Sequence, residues 1–208
     1  MSLTLVFVHG WAFGPSFWDR LGEELPGYPF RALDLGYFGL QHLDFIPEGS
    51  GPVVAVGHSL GFQWLLGDAP FRFDALVSLG GFARFDVPPG PVRAMRRGLS
   101  RDAARVVRDF RKACGLPADD AAGLSGIDPD RLAQGLDRLL TLDETPALAS
   151  LAKPLLAVAA EDDLIVPPAL SRAIFPDRLA MLPSGGHAFP VTRAGECAAL
   201  IRQFLETL

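Results

Sequence analysis

The chain of 208 residues has only two cysteines, Cys114 and Cys197, and lacks any long apolar run. Two cysteines exclude a disulfide framework and a four-thiolate zinc site, so we expect a reduced, cytoplasmic protein. Its longest apolar runs span about six or seven residues. A membrane-spanning helix needs ~18 or more, so no membrane association is expected.

An excess of positive charge is also absent. The sequence has 19 Lys and Arg against 24 Asp and Glu, a net charge of −5. This balance argues against a general nucleic-acid binder, and no nucleic-acid partner is expected. Hydrophobic residues make up 49% of the chain, which excludes disorder over most of its length. The length suits one domain with an insertion.

Short apolar runs alternate with helical patterns along most of the chain. Such near-continuous apolar runs are typical of parallel strands that are covered on both faces. We therefore predict an α/β fold with a mostly parallel central sheet and helices on both sides. The predicted strands are Leu3–Val8, Pro52–Val56, Ala75–Leu79 and Leu155–Ala159, with weaker candidates at Phe30–Leu33 and Leu179–Leu182.

The strand pattern is interrupted once, after residue 82. Residues 83–146 show helical patterns broken by Pro and Gly, and a strand pattern resumes at Leu155. We interpret this stretch as a helical cap of residues 83–146, inserted into a core of residues 1–82 and 147–208. Within it, Ser100 predicts the start of a helix and Gly115 its end. A last helix is predicted over Thr192–Leu208, with one buried face formed by Cys197, Ile201, Phe204, Leu205 and Leu208.

A nucleophile motif lies between the second strong strand and a helical pattern. Residues 57–61 read Gly-His-Ser-Leu-Gly, the G-x-S-x-G spacing of a nucleophile elbow. A sharp turn lifts the Ser59 side chain above the sheet, and Gly57 and Gly61 remove Cβ atoms that would clash. The following helix directs its first N–H groups at developing negative charge.

The remaining catalytic groups follow from chain order. Residues 9–12, His-Gly-Trp-Ala, come directly after the first strand, so the N–H groups of Trp11 and Leu60 are the expected oxyanion hole. In the order Ser, acid, His, only His187 follows both others. The acid comes from Glu161, Asp162 or Asp163, which follow a strand and would orient His187.

These pieces, in this order, resemble the α/β-hydrolase superfamily over nearly the whole chain. The resemblance implies an N-terminally shortened α/β-hydrolase fold, without the family's two leading antiparallel strands. In that family the acid commonly stands four residues before a Pro; Asp163 and Pro167 match this spacing, which favours Asp163 over Asp162.

Within the superfamily, the chain is most similar to the pimeloyl-acyl-carrier-protein methyl ester esterases of biotin synthesis. The similarity rests on residues 6–12 (VFVHGWA), on residues 33–39 (LDLGYFG) and on Gly186-His187-Ala188-Phe189. The sequence departs from that family at Phe62, where a second Gly is usual after the elbow, and in its short cap.

The predicted cap carries a local excess of positive charge. Residues 84–112 hold nine basic and three acidic side chains, a net charge of +6, so the remaining chain carries −11. Four of the basic side chains are expected on the outer face of one helix: Arg101, Arg105, Arg108 and Lys112. Such a stripe suits an acidic partner, for example an acyl carrier protein, although a solvated helix face explains it as well.

These observations predict a serine carboxylesterase that cleaves an acyl ester, with the methyl ester of pimeloyl-acyl-carrier protein as the substrate implied by the resemblance. No metal or organic cofactor is required. An apolar acyl pocket is expected from Trp11, Phe13, Phe38, Phe82 and Phe189. The alternatives are hydrolysis of a thioester, a lactone or a carbon–carbon bond, acyl transfer or perhydrolysis, and ligand binding without catalysis.

Overall fold

A computed structural model describes residues 3–44, 51–117 and 124–208 of the chain. The described residues form one six-stranded sheet in the order β2-β1-β3-β4-β5-β6, and every neighbouring pair is parallel. The strands are β1 Thr4–Val8, β2 Phe30–Leu33, β3 Val53–His58, β4 Ala75–Leu79, β5 Leu155–Ala160 and β6 Leu179–Leu182. All six predicted strands are therefore confirmed; the bounds of β2, β4 and β6 match, and the ends of the other three differ by at most two residues.

Helices surround this sheet. They are α1 Asp19–Glu23, α2 Leu60–Gly67, α3 Gly90–Ala113, α4 Pro129–Thr141, α5 Thr145–Ala149, α6 Pro168–Ile174, α7 Phe189–Thr192 and α8 Ala194–Leu205, and a short 3₁₀ helix spans Pro15–Trp18. All six residues of β3 are buried. Because successive side chains of a strand point to opposite faces, both faces of the sheet are covered.

The last helix is shorter than predicted. A separate turn of helix, α7, precedes it, and α8 ends at Leu205. Cys197 and Ile201 are fully buried, as their spacing on one helical face predicts. Leu208, which was expected on the same face, lies beyond the end of the helix and is exposed.

The region predicted as a cap is mainly helical in its described part. Helices α3 and α4 pack against each other, and α3 changes direction at Asp102, whose φ of −157° is not helical. The expected start at Ser100 is wrong. Asp102 accepts the N–H of Arg105 at 2.9 Å and so caps the second part of the helix.

The bounds of this cap stay a prediction. The expected boundary at residue 146 falls inside α5, and residues 118–123 lie outside the described part of the chain. Across the described ranges, no helix combines the length and apolar character needed to cross a membrane.

Candidate active site

The turn between β3 and α2 holds Ser59 in a strained conformation. Its φ is +53°, a left-handed value that non-glycine residues rarely adopt. A Cβ on Gly57 would lie 2.4 Å from Phe62 Cα, and one on Gly61 would lie 2.2 Å from the Val8 carbonyl oxygen. Only glycine fits either position, because the two nearest atoms belong to rigid backbone. The local sequence therefore forces the sharp turn that the motif predicts.

Ser59 lies in a chain of hydrogen-bond contacts with His187 and Asp163. Ser59 Oγ lies 2.9 Å from His187 Nε2, and His187 Nδ1 lies 2.8 Å from Asp163 Oδ2. This geometry suits the tautomer in which Nδ1–H donates to the carboxylate and Nε2 accepts from the hydroxyl. All three side chains are buried. The arrangement can move a proton from Ser59 to His187.

The two neighbouring carboxylates of the acid loop have different contacts. The second oxygen of Asp163, Oδ1, accepts the N–H groups of Ile165 and Val166 at 2.8 and 2.9 Å. Asp162 is exposed and accepts the N–H groups of Gly186 and Gly185 at 2.8 and 3.2 Å. Burial alone would raise the pKa of Asp162, but these backbone hydrogen bonds outweigh it and lower the pKa. Asp162 therefore joins the acid loop to the histidine loop.

The loop after β1 lies directly against the elbow. A Cβ on Gly10 would lie 2.8 Å from His58 Nδ1 and 2.9 Å from Ser59 Cβ, so glycine allows the close approach. The N–H groups of Trp11 and Leu60 donate to no acceptor in the part of the chain that the structure describes. Both are thus available to bind an oxygen that carries negative charge.

His9 supports the loop after β1 rather than the chemistry. Its Nδ1 lies 2.9 Å from the Gly10 carbonyl oxygen, and its Nε2 accepts the N–H of Leu35 at 3.1 Å. Asp34 is 3.3 Å from the same Nε2. Burial acts to raise the pKa of Asp34, but the nearby His9 ring and the hydrogen bond from the Gly36 N–H outweigh it and lower the pKa.

His58 holds the loop that carries His187, a role that the sequence did not predict. Its Nε2 donates to the backbone carbonyl of His187 at 2.9 Å, and its ring stacks on Phe17 at 4.5 Å. Burial lowers the pKa of His58 well below its usual value, and the nearby His187 adds to the effect. The neutral ring thus anchors the main chain of the histidine loop. No sequence signal distinguishes this role from that of any other elbow residue.

Ser59 opens into a cavity of about 600 Å³ with almost entirely apolar walls. Ser59 and Asp109 are the exceptions among its lining residues. Helix α3 and the segment before it form much of the wall, through Phe85, Val92, Met95, Val106, Phe110 and Ala113. Leu164, which is 80% exposed, lines the cavity from the acid loop.

Of the five aromatic residues expected in the pocket, two line this cavity and three do not. Trp11 and Phe82 belong to the wall. Phe13 is buried between Phe17 and Phe110. Phe38 lies beneath the Arg111 guanidinium, and Phe189 is fully buried in α7 next to Gly80. Their rings fill space behind the active-site loops instead.

The wall residues that sequence reasoning missed come mostly from the cap. A signal was present in the amphipathic pattern of α3, where Val106, Phe110 and Ala113 lie on adjoining turns. Part of this apolar face remains open and forms the cavity, which periodicity alone cannot distinguish from a packed face.

The four predicted partner-binding residues lie exposed on α3: Arg101, Arg105, Arg108 and Lys112. Arg105 is 3.5 Å from Asp109 across one helical turn. Within the described ranges, Arg101, Arg108 and Lys112 make no ion pair with a carboxylate. By contrast, Arg96 on the same helix is paired with Asp137 of α4. Three of the four stripe residues therefore carry positive charge that no described carboxylate pairs with.

Comparison with known proteins identifies the family. Residues 5–200 match the alpha/beta hydrolase family. A pimeloyl-[acyl-carrier protein] methyl ester esterase from Xanthomonas campestris pv. campestris is 28% identical over an alignment of 249 positions, which covers 99% of this chain and 96% of the relative. A protein of the same name from Vibrio parahaemolyticus is 26% identical, with coverage of 97% and 94%.

Solved structures share the fold. An esterase from Exiguobacterium antarcticum superposes with a TM-score of 0.83 at 15% identity, covering 99% of this chain and 92% of that one. An esterase from Thermogutta terrifontis gives a TM-score of 0.75 at 22% identity, covering 100% and 90%. The match over residues 5–200 and the shared architecture confirm the resemblance noted in the sequence: this chain belongs to the alpha/beta hydrolase family.

Proposed function

We propose that this protein is a serine carboxylesterase in which Ser59, His187 and Asp163 form the catalytic triad. The observation that carries the proposal is the contact chain from Ser59 Oγ to His187 Nε2, at 2.9 Å, and from His187 Nδ1 to Asp163 Oδ2, at 2.8 Å. Ser59, the first residue of this contact chain, lies in the wall of an apolar cavity, where an acyl chain can be bound next to the nucleophile.

In the first half of the reaction, Ser59 Oγ attacks the ester carbonyl carbon while His187 Nε2 takes the hydroxyl proton. The carbonyl oxygen becomes an oxyanion that accepts the N–H groups of Trp11 and Leu60. The tetrahedral intermediate collapses as the bond to the alcohol breaks. His187 returns its proton to the leaving alcohol, and an acyl-enzyme on Ser59 remains.

In the second half, water replaces the alcohol. His187 takes a proton from the water as it attacks the acyl carbon, and the same two N–H groups stabilise the new oxyanion. Collapse releases the carboxylic acid, and the proton on His187 returns to Ser59 Oγ. Asp163 keeps its charge throughout, holding the imidazole orientation and stabilising the imidazolium.

The substrate we propose is an ester whose acyl chain is linked to a carrier protein, specifically the methyl ester of pimeloyl-acyl-carrier protein. Relatives of that name align with 99% of this chain. Charge supports the same partner, because Arg101, Arg108 and Lys112 are exposed and have no carboxylate partner among the described residues. An acidic carrier surface beside the cavity would complement them. The cytoplasmic location expected from the sequence is part of this proposal.

A fluorophosphonate probe tests the chemistry directly. The probe phosphonylates an activated serine, so we expect wild-type protein to be labelled and Ser59→Ala to remain unlabelled. Ser100→Ala is the matched control, because Ser100 is exposed and lies outside the cavity, and it should be labelled like wild type. Absence of labelling of wild type, or equal labelling of Ser59→Ala, would refute a serine hydrolase and favour a ligand-binding role.

The same preparation distinguishes between substrate classes. We expect turnover of p-nitrophenyl and methyl esters, and the proposal predicts faster turnover when the acyl chain is on a carrier protein. Preferential turnover of a thioester or lactone of matched chain length would instead support the alternative hydrolases. Formation of a new ester or peracid in the presence of alcohol or peroxide would support acyl transfer or perhydrolysis.

Neutralising the three unpaired basic side chains of α3 tests whether a carrier protein binds there. We expect Arg101→Gln, Arg108→Gln and Lys112→Gln together to raise KM for a carrier-linked ester about 10-fold at low salt, and less at high salt. A small p-nitrophenyl ester should be unaffected. The matched control removes three exposed arginines outside the cap: Arg20, Arg72 and Arg178. Equal losses with both triple variants, or with both substrates, would refute docking at the stripe.

A further inference from the structure

The cap contacts the loop that carries the proposed oxyanion donor. Trp11 Nε1 donates to the carbonyl of Leu132 in α4 at 2.7 Å. The Trp11 ring packs edge-on against Phe110 of α3, with centroids 4.7 Å apart. The side chain of this proposed oxyanion donor is therefore held by both cap helices, although the residue itself follows a core strand.

The next residue of this loop has an unfavourable backbone conformation. Ala12 has a φ of +59°, which an L-residue adopts at a cost. It stands third in the turn from Gly10 to Phe13, where the Phe13 N–H donates to the Gly10 carbonyl at 3.4 Å. Positive φ at that place normally calls for Gly or Asn. The turn that presents the Trp11 N–H thus needs support from outside the loop.

Arg111 of α3 supplies that support. Its Nε donates to the Ala12 carbonyl at 3.0 Å, and the side chain is buried, unlike its neighbours Arg108 and Lys112. The guanidinium packs over the rings of Phe13 and Phe38, 5.6 and 4.9 Å from their centroids. These contacts fix the direction of the Nε–H bond, so the donor holds the Ala12 carbonyl in one orientation.

The same end of α3 also joins the histidine loop. The carbonyl of Cys114, at the end of the helix, accepts the N–H of Ala188 at 2.8 Å. A Cβ on Gly186 would lie 2.6 Å from that carbonyl oxygen, so the loop fits closely against the helix. One turn of α3 thus contacts the loops that carry Trp11 and His187.

We propose that Arg111 is a positioning residue of the oxyanion hole: by holding the Ala12 carbonyl, it keeps the Trp11 N–H directed at the developing oxyanion. The inference rests on the proposed function and extends it, because it makes the cap part of the catalytic apparatus as well as a wall of the cavity. Arg111 touches no reacting atom. It acts through the turn at Ala12.

Arg111→Met tests this role, because methionine keeps the unbranched, apolar part of the arginine side chain but has no hydrogen-bond donor. We expect kcat for p-nitrophenyl acetate to fall about 10- to 100-fold with KM within 2-fold of wild type, because the oxyanion exists only after attack. The affinity of a trifluoromethyl ketone, whose tetrahedral adduct carries an oxyanion, should fall by the same factor as kcat/KM. Arg97→Met, an exposed site on the same helix, should match wild type.

A merely structural role would give different results. If Arg111 only stabilises the fold, the melting temperature falls while kcat and the ketone affinity of the folded fraction stay as in wild type, and the inference is refuted. If Arg111→Met does not fold, Arg111→Lys keeps the charge but cannot present a donor at the Nε position. That variant should still lose kcat, and wild-type kcat in it would refute the inference.

Failure of the proposed function remains distinguishable. If wild type neither reacts with fluorophosphonate nor turns over an ester, both the function and this inference fail. If wild type is active and Arg111→Met retains full kcat, only the role of Arg111 fails.

Discussion

The core and the cap contribute to the active site in different ways. In the core, backbone segments pack directly against each other: Gly61 lies against the Val8 carbonyl, and Gly57 lies against the Phe62 backbone. In the cap, side chains such as Met95 and Val106 form a wall around open space. A site built from close backbone contacts tolerates little change, whereas a wall of apolar side chains can change shape while the fold persists. We therefore expect the core to set the chemistry and the cap to select what reaches it.

Arg111 and Trp11 are the exception that makes the comparison informative. Both connect the two regions through hydrogen bonds, one to the Ala12 carbonyl and one to the Leu132 carbonyl. Changes in the cap should therefore affect binding in most places. They should affect the chemical step only at these two contacts and at the Cys114 carbonyl, which accepts the Ala188 N–H in the histidine loop.

The largest effect is expected in the core at the acid loop. Asp163→Asn should lower kcat about 10⁴-fold, because the amide favours the wrong tautomer of His187. Asp162→Asn is the matched control, since it lies one residue away and contacts only backbone N–H groups of the histidine loop. We expect it to lose less than about 10-fold, because its amide oxygen still accepts one bond. Steady-state kinetics on a p-nitrophenyl ester measures both, and a larger loss at Asp162 would reverse the acid assignment.

The second prediction compares a core glycine with a cap glycine. Gly61→Ala would bring a Cβ to 2.2 Å from the Val8 oxygen, so the strand or the helix must move. We expect a loss of at least ~3 kcal/mol in the free energy of unfolding. In Gly98→Ala the nearest atom, at 2.8 Å, is a methyl of the partly buried Val106. Better helix propensity should offset that contact to within ~1 kcal/mol.

Urea denaturation of the two glycine variants measures the difference. If Gly98→Ala were as destabilised as Gly61→Ala, the cap would be packed as tightly as the elbow and the comparison would not hold.

The core could be predicted well from the sequence because its signals are local. Strand runs are short and apolar, and the elbow, whose glycines are required by sterics, lies at the end of one of them. His187 follows from chain order, since no other histidine comes after the acid loop. Asp163 required the spacing to Pro167, because nothing local distinguishes it from Asp162.

The cap could be predicted only as helical. The cavity depends on how α3 and α4 are oriented against the core, and the hydrophobic periodicity of the sequence does not determine that orientation. The start of the second part of α3 was misassigned to Ser100 because both Ser100 and Asp102 are good capping residues, and the bend at Asp102 decides between them. Likewise, Arg111 reads as one more basic residue in the sequence, and only the tertiary contact distinguishes it from Arg108.

The third prediction concerns the cap wall. Met95→Trp adds a bulky ring to the cavity, so it should lower kcat/KM for p-nitrophenyl octanoate about 100-fold relative to p-nitrophenyl acetate. The shorter ester should react as in wild type, since the triad belongs to the core. Arg97→Trp places the same ring on the exposed side of α3 and serves as the control. Equal loss on both esters would mean that the cap affects the chemical step here too.

The smallest effect is expected from pH, at His58 in the core. Burial lowers the pKa of His58 well below its usual ~6.5, so the unfolded chain binds a proton there that the folded chain does not. Folding stability should therefore be fully present above about pH 6.5. It should fall as pH decreases below that value, by up to ~1.4 kcal/mol per pH unit from this one group.

In His58→Gln that contribution disappears, so urea denaturation from pH 7.5 to 5 should give a shallower slope of unfolding free energy against pH than in wild type. His42→Gln, which alters an exposed histidine on the loop after β2, should keep the wild-type slope, and a slope unchanged in His58→Gln would mean that the buried ring does not resist protonation.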